Sequence, residues 1–464
     1  MPPSVPPVTG GFSPLDEELQ LVPGSLSPTL AESAVRLGSW MPFAVAVQML
    51  AHFVHTQVSE PTGRRLTERA GAAYEAVQEA QTARLSTAAR PAAVQGPPVQ
   101  QVSVDGAFVP LVHKQWTEAK TVAIGTVQPP ERKADGTIEI HTTDLSYFSR
   151  VAECHAFTAK ATLEVVRRGT LTAGRVAGVA DGAVWEETFF DVHRHDAVRI
   201  LDWCHGVGYL AKCAQALYGA DTKENHAWLA VQRETLLHGD PEVVLAKLRG
   251  LQEELTVQAG EGPPPPALGV LTESLDYLAK RAAMLRYAEF RAMGYPIGSG
   301  IVESANKLVV EARLKGAGMH WAPKHVNPLL ALRGMACSDR WEEAWPQLVR
   351  QWRVEDRATA LAHHQRRQAA RQAERDRFAP GTTPPDKAAA PEPATRSQAT
   401  VRAQTALADP LPDIGPRPGN PVSAPRPPIA RPTAGRTTSR RPAANHPWRA
   451  RLLHRRSSAR TDPE

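Results

Sequence analysis

The stretch VQQVSVDGAFVPLV, residues 99–112, is where the chain changes its period. Residues 28–85 before it place apolar side chains three and four apart, whereas this segment is rich in β-branched and short residues, as a strand requires. TVAIGTV (121–127) follows, and Gly136 precedes TIEIHTT (137–143), so three strands in succession are predicted. Residues 149–168 then read as a helix with Val151, Phe157, Leu163 and Val166 among its apolar positions. RVAGVA (175–180) reads as a fourth strand, VRIL (198–201) as a fifth, and residues 206–217 as a helix.

Working back towards the N-terminus, residues 1–25 are Pro/Gly-rich and are expected to be disordered. Ser27-Pro28 suits a helix start, because Ser accepts a hydrogen bond from an orphan N–H and Pro needs no donor at the first helical position. Leu37, Trp40, Ala44, Val47, Ala51 and Val54 continue a helical stripe that Pro42 is expected to split. A third helix, RRLTERAGAAYEAVQEAQTARL, carries Arg64, Arg65 and Arg69 early, where a helix-turn-helix reader would put phosphate and base contacts. An ordinary bundle with solvated arginines fits the same pattern.

Towards the C-terminus, residues 219–294 look helical apart from GEGPPPPA (260–267), and residues 299–321 read as another helix. From 353 to 379 the chain is a basic, Ala/Gln/Arg-rich helix candidate. Residues 380–464 hold 17 of the 41 prolines and 14 Lys and Arg against 6 Asp and Glu, and are expected to stay disordered. The net charge of +6 on 464 residues therefore belongs to the tail. The longest greasy stretch, residues 40–54, falls short of the roughly 20 apolar residues of a membrane span, and the start MPPSVPPVTGG lacks the marks of a signal peptide. Cys154, Cys204, Cys213 and Cys337 show no CxxC spacing and make no disulfide framework. These features predict a soluble, cytoplasmic protein.

Three strands, a helix, a strand, then a strand and helix is the order of an RNase H-like α/β domain. In that order the first and fourth strands are neighbours. Asp105, at the end of the first, and Asp181, at the end of the fourth, would then lie a few Å apart. Each is followed by Gly, a common turn signal in its own right. Two adjacent carboxylates repel unless a cation joins them, so the pair points to a divalent metal. Glu303, in GSGIVESANKLVVEARLKGAGMHW, is the candidate third carboxylate. It lies opposite the apolar stripe of Ile301, Ala305, Leu308, Val309 and Ala312, so it faces either a cleft or water. Lys307, Arg313 and Lys315 on that segment could hold phosphates. Asp202 and His205, in ILDWCHGVGYL, are three apart at the end of the fifth strand, where helix capping and core packing are the plainer roles. His193, His195, Cys204 and Cys213 lack the ligand spacing of a structural zinc site, and no P-loop, GxSxG or GxGxxG occurs.

Together VSVDGAFVP, VADGAVWE, ILDWCHGVGYLA and GSGIVESANKLVVEARLKGAGMHW make residues 11–350 resemble the DDE transposases of bacterial insertion sequences, specifically the ISKra group related to Mutator-like elements. The resemblance implies a small helical, helix-turn-helix-like DNA-binding domain over 26–90. It also implies an RNase H-like catalytic domain over 99–350 with a helical insertion at about 206–298. It makes Asp105, Asp181 and Glu303 the catalytic and metal-binding triad. Asp202 and His205 become a supporting D-x-x-H signature. Two Mg²⁺ ions, replaceable by Mn²⁺, would drive strand cleavage and strand transfer of DNA, the protein working near the nucleoid as a homo-oligomer on element ends and target. Family members usually carry a Cys-rich N-terminal module before the segment resembling GFSPLDEELQLVPGSLSP, and the Arg/Pro-rich tail is outside the pattern, so a truncated copy is also expected. A metal nuclease without strand transfer and a non-catalytic DNA-binding protein are the alternatives.

Overall fold

A computed structural model describes residues 26–87, 94–134 and 136–377. The expectations for residues 1–25 and 380–464 lie outside the described residues. The protein is mixed α/β, and among the described residues no helix is long and apolar enough to cross a membrane.

Five strands form the central sheet: β1 (Val99–Pro110), β2 (Trp116–Val127), β3 (Thr142–Arg150), β4 (Arg175–Ala180) and β5 (Val198–Leu201), in the order β3-β2-β1-β4-β5. β1 pairs antiparallel with β2, and β2 with β3, while β4 lies parallel to both β1 and β5. The third strand is later than the sequence predicts. Ile138–Glu139 instead forms a short two-stranded ribbon with Glu131–Arg132, and Ser149 and Arg150 end β3 rather than starting a helix. The last five residues of β3 are all buried, so packing on both faces decides its position where periodicity does not.

The first crossover helix, α4 (Cys154–Arg167), and a second, α5 (Val184–Arg194), cover one face of the sheet. α5 is absent from the sequence reading, yet two parallel neighbours such as β4 and β5 need a crossover between them. Val102, Val104, Val122, Ile124 and Phe148 meet Phe157, Phe189 and Phe190 there. Odd-numbered β1 residues Ala107 and Val109 face the other way, onto Val302, Ala305 and Val309.

The segment expected as one helix over 299–321 is three pieces. α11 (Gly300–Ala305) passes into a π-helical turn (Asn306–Glu311) and a last turn (Ala312–Leu314), and the chain then leaves as a loop. Before it come α6 (Trp203–Tyr218), α7 (Lys223–His238), α8 (Pro241–Ala259), α9 (Pro266–Ala279) and α10 (Tyr287–Ala292). Their core includes Leu210, Leu245, Leu271 and Leu278, and closes on Ala177, Val179, Ile200 and Leu201 of β4 and β5.

The N-terminal helices are α1 (Pro28–Trp40), α2 (Phe43–Val54) and α3 (Glu60–Thr87), with Ser27 capping the first and Pro42 separating it from the second. Ala31, Val35, Ala70 and Tyr74 pack with Leu332 and Met335 of α12 (Val326–Cys337) and with Trp341, Trp345 and Trp352 of α13 (Trp341–Arg377).

A candidate active site between two parallel strands

The parallel register of β1 and β4 pairs Val102 with Gly178. Asp105 stands three residues further along β1, and Asp181 directly follows the end of β4 at Ala180, so both carboxylates reach one cavity just beyond the last paired residues. Asp105-Gly106 is not a turn, because β1 runs on to Pro110. Gly106 instead lets the Glu118 side chain lie over the backbone, since a Cβ there would stand 2.2 Å from Glu118 Oε1. Asp181-Gly182 does end its strand, and the φ of +79° at Gly182 is the backbone region that glycine tolerates best.

Both aspartates line one cavity of about 340 Å³ together with Glu118, Glu186, His205, Tyr277 and Arg281. Asp105 Oδ1 accepts from the Gly106 N–H at 2.6 Å, and Oδ2 accepts from Asn306 Nδ2 at 2.8 Å. Burial pushes the Asp105 carboxyl up to about 6, with the Asp181 charge adding to it against these hydrogen bonds. Glu186 is pushed up to about 8, again by burial first, although its Oε2 accepts from the Ala183 N–H at 2.9 Å. Among the described residues no Lys or Arg pairs with Asp105 or Asp181. Lys120 is taken by Glu118 at 2.7 Å, and Arg281 spends Nε and Nη2 on the Gly182 carbonyl.

The D-x-x-H pair divides its work. His205 Nδ1 stands 3.3 Å from Asp181 Oδ2, and this hydrogen bond raises the imidazole above its ordinary value. Asp202 is buried: Oδ2 caps α6 by accepting from the His205 N–H at 2.8 Å, and Oδ1 accepts from the Ser299 N–H at 2.7 Å. It therefore joins the start of α6 to the start of the Glu303 helix. The Tyr277 hydroxyl donates to the Asp181 carbonyl, and the Tyr277 ring stacks on Tyr209 with centroids 4.1 Å apart.

The chain matches no protein-family profile and no curated protein sequence.

Glu303 is exposed, one helical turn before Asn306, and does not line the cavity. Its charge reaches Cys204, whose thiol is raised by burial, by Asp202 and then by Glu303. Among the described residues no three His, Cys, Asp or Glu side chains are gathered closely enough to ligate one ion. All four cysteines are free, and buried His193 spends Nε2 on the Thr158 carbonyl at 3.1 Å.

The cations expected at phosphates scatter. Arg64 pairs with Glu68 at 2.8 Å, Arg65 reaches Thr62 at 3.2 Å, and Arg69 pairs with Asp356 at 2.6 Å. Lys307 is exposed, and Lys315 bonds Glu311 at 2.8 Å. Arg313 corrects the expectation: it is 1% exposed, donates to the Gly38 carbonyl at 2.9 Å and lies against the rings of Phe43 and Trp321. Enclosed in this way it is a packing cation that ties α1 and α2 to the Glu303 helix.

Sequence reasoning missed Glu186, Asn306, Tyr277 and Arg281. Asn306 carried a signal, being three residues after Glu303 and so on its face of the helix. Tyr277 on α9 and Arg281 just beyond it come from 96 and 99 residues away from the carbonyls they bond, which no local pattern shows.

Proposed function

We propose that this protein is a DDE transposase with an RNase H-like catalytic domain, cutting and joining DNA strands at the cavity between β1 and β4. The observation that carries the reading is the single cavity lined by both Asp105 and Asp181, just beyond the last paired residues of the neighbouring parallel strands β1 and β4. Strand order β3-β2-β1-β4-β5, with antiparallel pairs on one side and parallel pairs on the other, agrees with it.

The donor set fits a divalent cation. Two carboxylates share a half-buried cavity, neither has a Lys or Arg partner among the described residues, and burial, with the Asp181 charge adding to it, lets Asp105 hold its proton up to about pH 6. Asp105 and Asp181 would hold Mg²⁺, while Glu303, outside the cavity lining, would have to move to join them. When bound, the metal supplies Lewis-acid charge to an in-line phosphoryl transfer in which water, and later a 3′-hydroxyl, attacks. Asn306 holds the Asp105 carboxylate in one orientation. His205 does the same for Asp181 and, once protonated, brings a positive charge beside it. Tyr277 and Arg281 fix the backbone at Asp181 and Gly182, so a carboxylate that must meet phosphate repulsion is not free to swing away.

The test is strand transfer. The full chain, with Mg²⁺ and a duplex ending in a free 3′-hydroxyl next to the element's terminal repeat, should join that end to a plasmid. Cleavage without any joined product would favour the nuclease reading, and absence of both would overturn the proposal.

A further inference from the structure

Beyond the cavity, β1 and β2 continue as a two-stranded ribbon to a turn at His113-Lys114, closed by the Leu111 N–H donating to the Gln115 carbonyl at 2.8 Å. Both turn residues have positive φ, 60° and 59°. Two successive left-handed residues are what a type I′ hairpin demands, and that turn favours Asn-Gly because a Cβ is disfavoured there. Here both positions carry exposed basic or titratable side chains instead. Strained backbone of this kind persists only where its surroundings hold it, and it concentrates at functional sites. The surroundings do hold it: the Val112 N–H donates to the Trp321 carbonyl at 3.0 Å, and the Trp321 N–H to the Pro110 carbonyl at 3.1 Å. The loop so clamped contributes Lys315, His320 and Lys324, and no Asp or Glu occurs anywhere from 312 to 338.

The flank of the ribbon is unusual too. Trp116 is 60% and Phe108 56% exposed. Trp116 pairs with Pro110, and Glu118 with Phe108, so all four share the ribbon face on which Gly106 and Glu118 border the cavity. Trp116 lies two residues from Glu118, about 7 Å along the strand. One face thus carries Glu118 at the cavity's edge, then the exposed aromatics, and leads to the basic tip.

We infer that this ribbon is a second DNA-contact surface, with Lys114 and His113 meeting backbone phosphates of the DNA that leaves the cavity and Trp116 packing against its sugars and bases. The inference rests on the DNA-processing reading above. The tip gives up the backbone comfort of Asn-Gly to place charge at the end of a rigid arm.

The experiment is equilibrium binding of the full chain to a 30-bp duplex over a series of salt concentrations, in EDTA so that cleavage plays no part. Lys114→Ala should raise Kd and flatten the slope of log K against log salt by about 0.9, the value for one phosphate contact. Trp116→Ala should weaken binding roughly 5- to 100-fold with little change of slope. The double variant His113→Asn, Lys114→Gly should melt at a higher temperature than wild type yet bind DNA more weakly, which separates lost contact from lost fold. Lys247→Ala, an exposed lysine on α8, should leave the slope unchanged. Wild-type Kd and slope in all three ribbon variants, or an equal effect from Lys247→Ala, would overturn the inference while leaving the transposase reading standing. A wild-type chain that binds no DNA would overturn both.

Discussion

Asn306 Nδ2 donates to Asp105 Oδ2 at 2.8 Å across 201 residues of sequence, which pins the helix bearing Glu303 to the carboxylate on β1. The contact sits at the first residue of the π-helical turn, and the Asn306 amide oxygen is buried without a partner. Single π turns inside helices recur at functional sites. Asn306→Ala should weaken Mn²⁺ binding by roughly 10- to 100-fold, the usual cost of losing a group that orients a ligand. Calorimetric titration with Mn²⁺ checks it, and unchanged affinity would reduce Asn306 to packing.

The Asp105 carboxyl gives a pH signature. Its value in the folded protein, about 6, is above the ordinary 3.8, so the folded state binds the proton more tightly than the unfolded one. Stability of the metal-free protein therefore falls as pH rises from about 4 through 6. In EDTA, the difference in unfolding free energy between Asp105→Asn and wild type should move in favour of the variant by about 2 kcal/mol between pH 4 and pH 8. Urea melts at the two pH values measure it, and a constant difference would contradict the buried, repelled carboxylate.

His205 runs with the other charge. Its hydrogen bond to Asp181 raises the imidazole, so the stability it contributes is fully present below its ordinary value near 6.5 and is lost as pH rises through the higher folded value. Both side chains are about one-third or more exposed, which limits the contribution to less than about 1 kcal/mol. His205→Ala should cost more stability at pH 5.5 than at pH 8.5, and should slow cleavage while Mn²⁺ affinity persists. Loss of metal binding would make His205 a ligand.

Arg313 should behave as interior. Arg313→Met removes its hydrogen bond to Gly38 and its contacts with Phe43 and Trp321, and should cost about 1–3 kcal/mol of stability. The salt dependence of DNA binding should not change. A flatter slope at full stability would return Arg313 to the phosphates.

Much of this arrangement is legible in the sequence. Four of the five sheet strands are legible, because β-branched runs such as VSV and RVAGVA have few other uses, and Pro42 breaks the first helical stripe where Pro must. β3 was placed too early because TIEIHTT alternates as well as the residues that do enter the sheet. α5 was missed because VWEETFFDVHR packs two phenylalanines against the sheet from a short, acidic start. Asp105 and Asp181 could be found from strand order alone. Glu186 could not, since a glutamate three residues into a helix ordinarily caps it, and nothing local shows that burial beside two aspartates comes with it. Arg313 misled for a related reason. A basic residue on a lysine-rich segment reads as surface until α1 and α2 are folded over it.

The central claim is that Asp105 and Asp181 act together on DNA, and the most direct measurement is Mg²⁺-dependent cleavage of a duplex by Asp105→Asn, Asp181→Asn and wild type, with duplex binding followed in parallel. Each substitution should reduce cleavage by at least about 10³-fold, about 4 kcal/mol of transition-state stabilisation, with duplex affinity within a few-fold of wild type. Cleavage at the wild-type rate by either variant, while the protein remains folded and bound to DNA, would contradict the account.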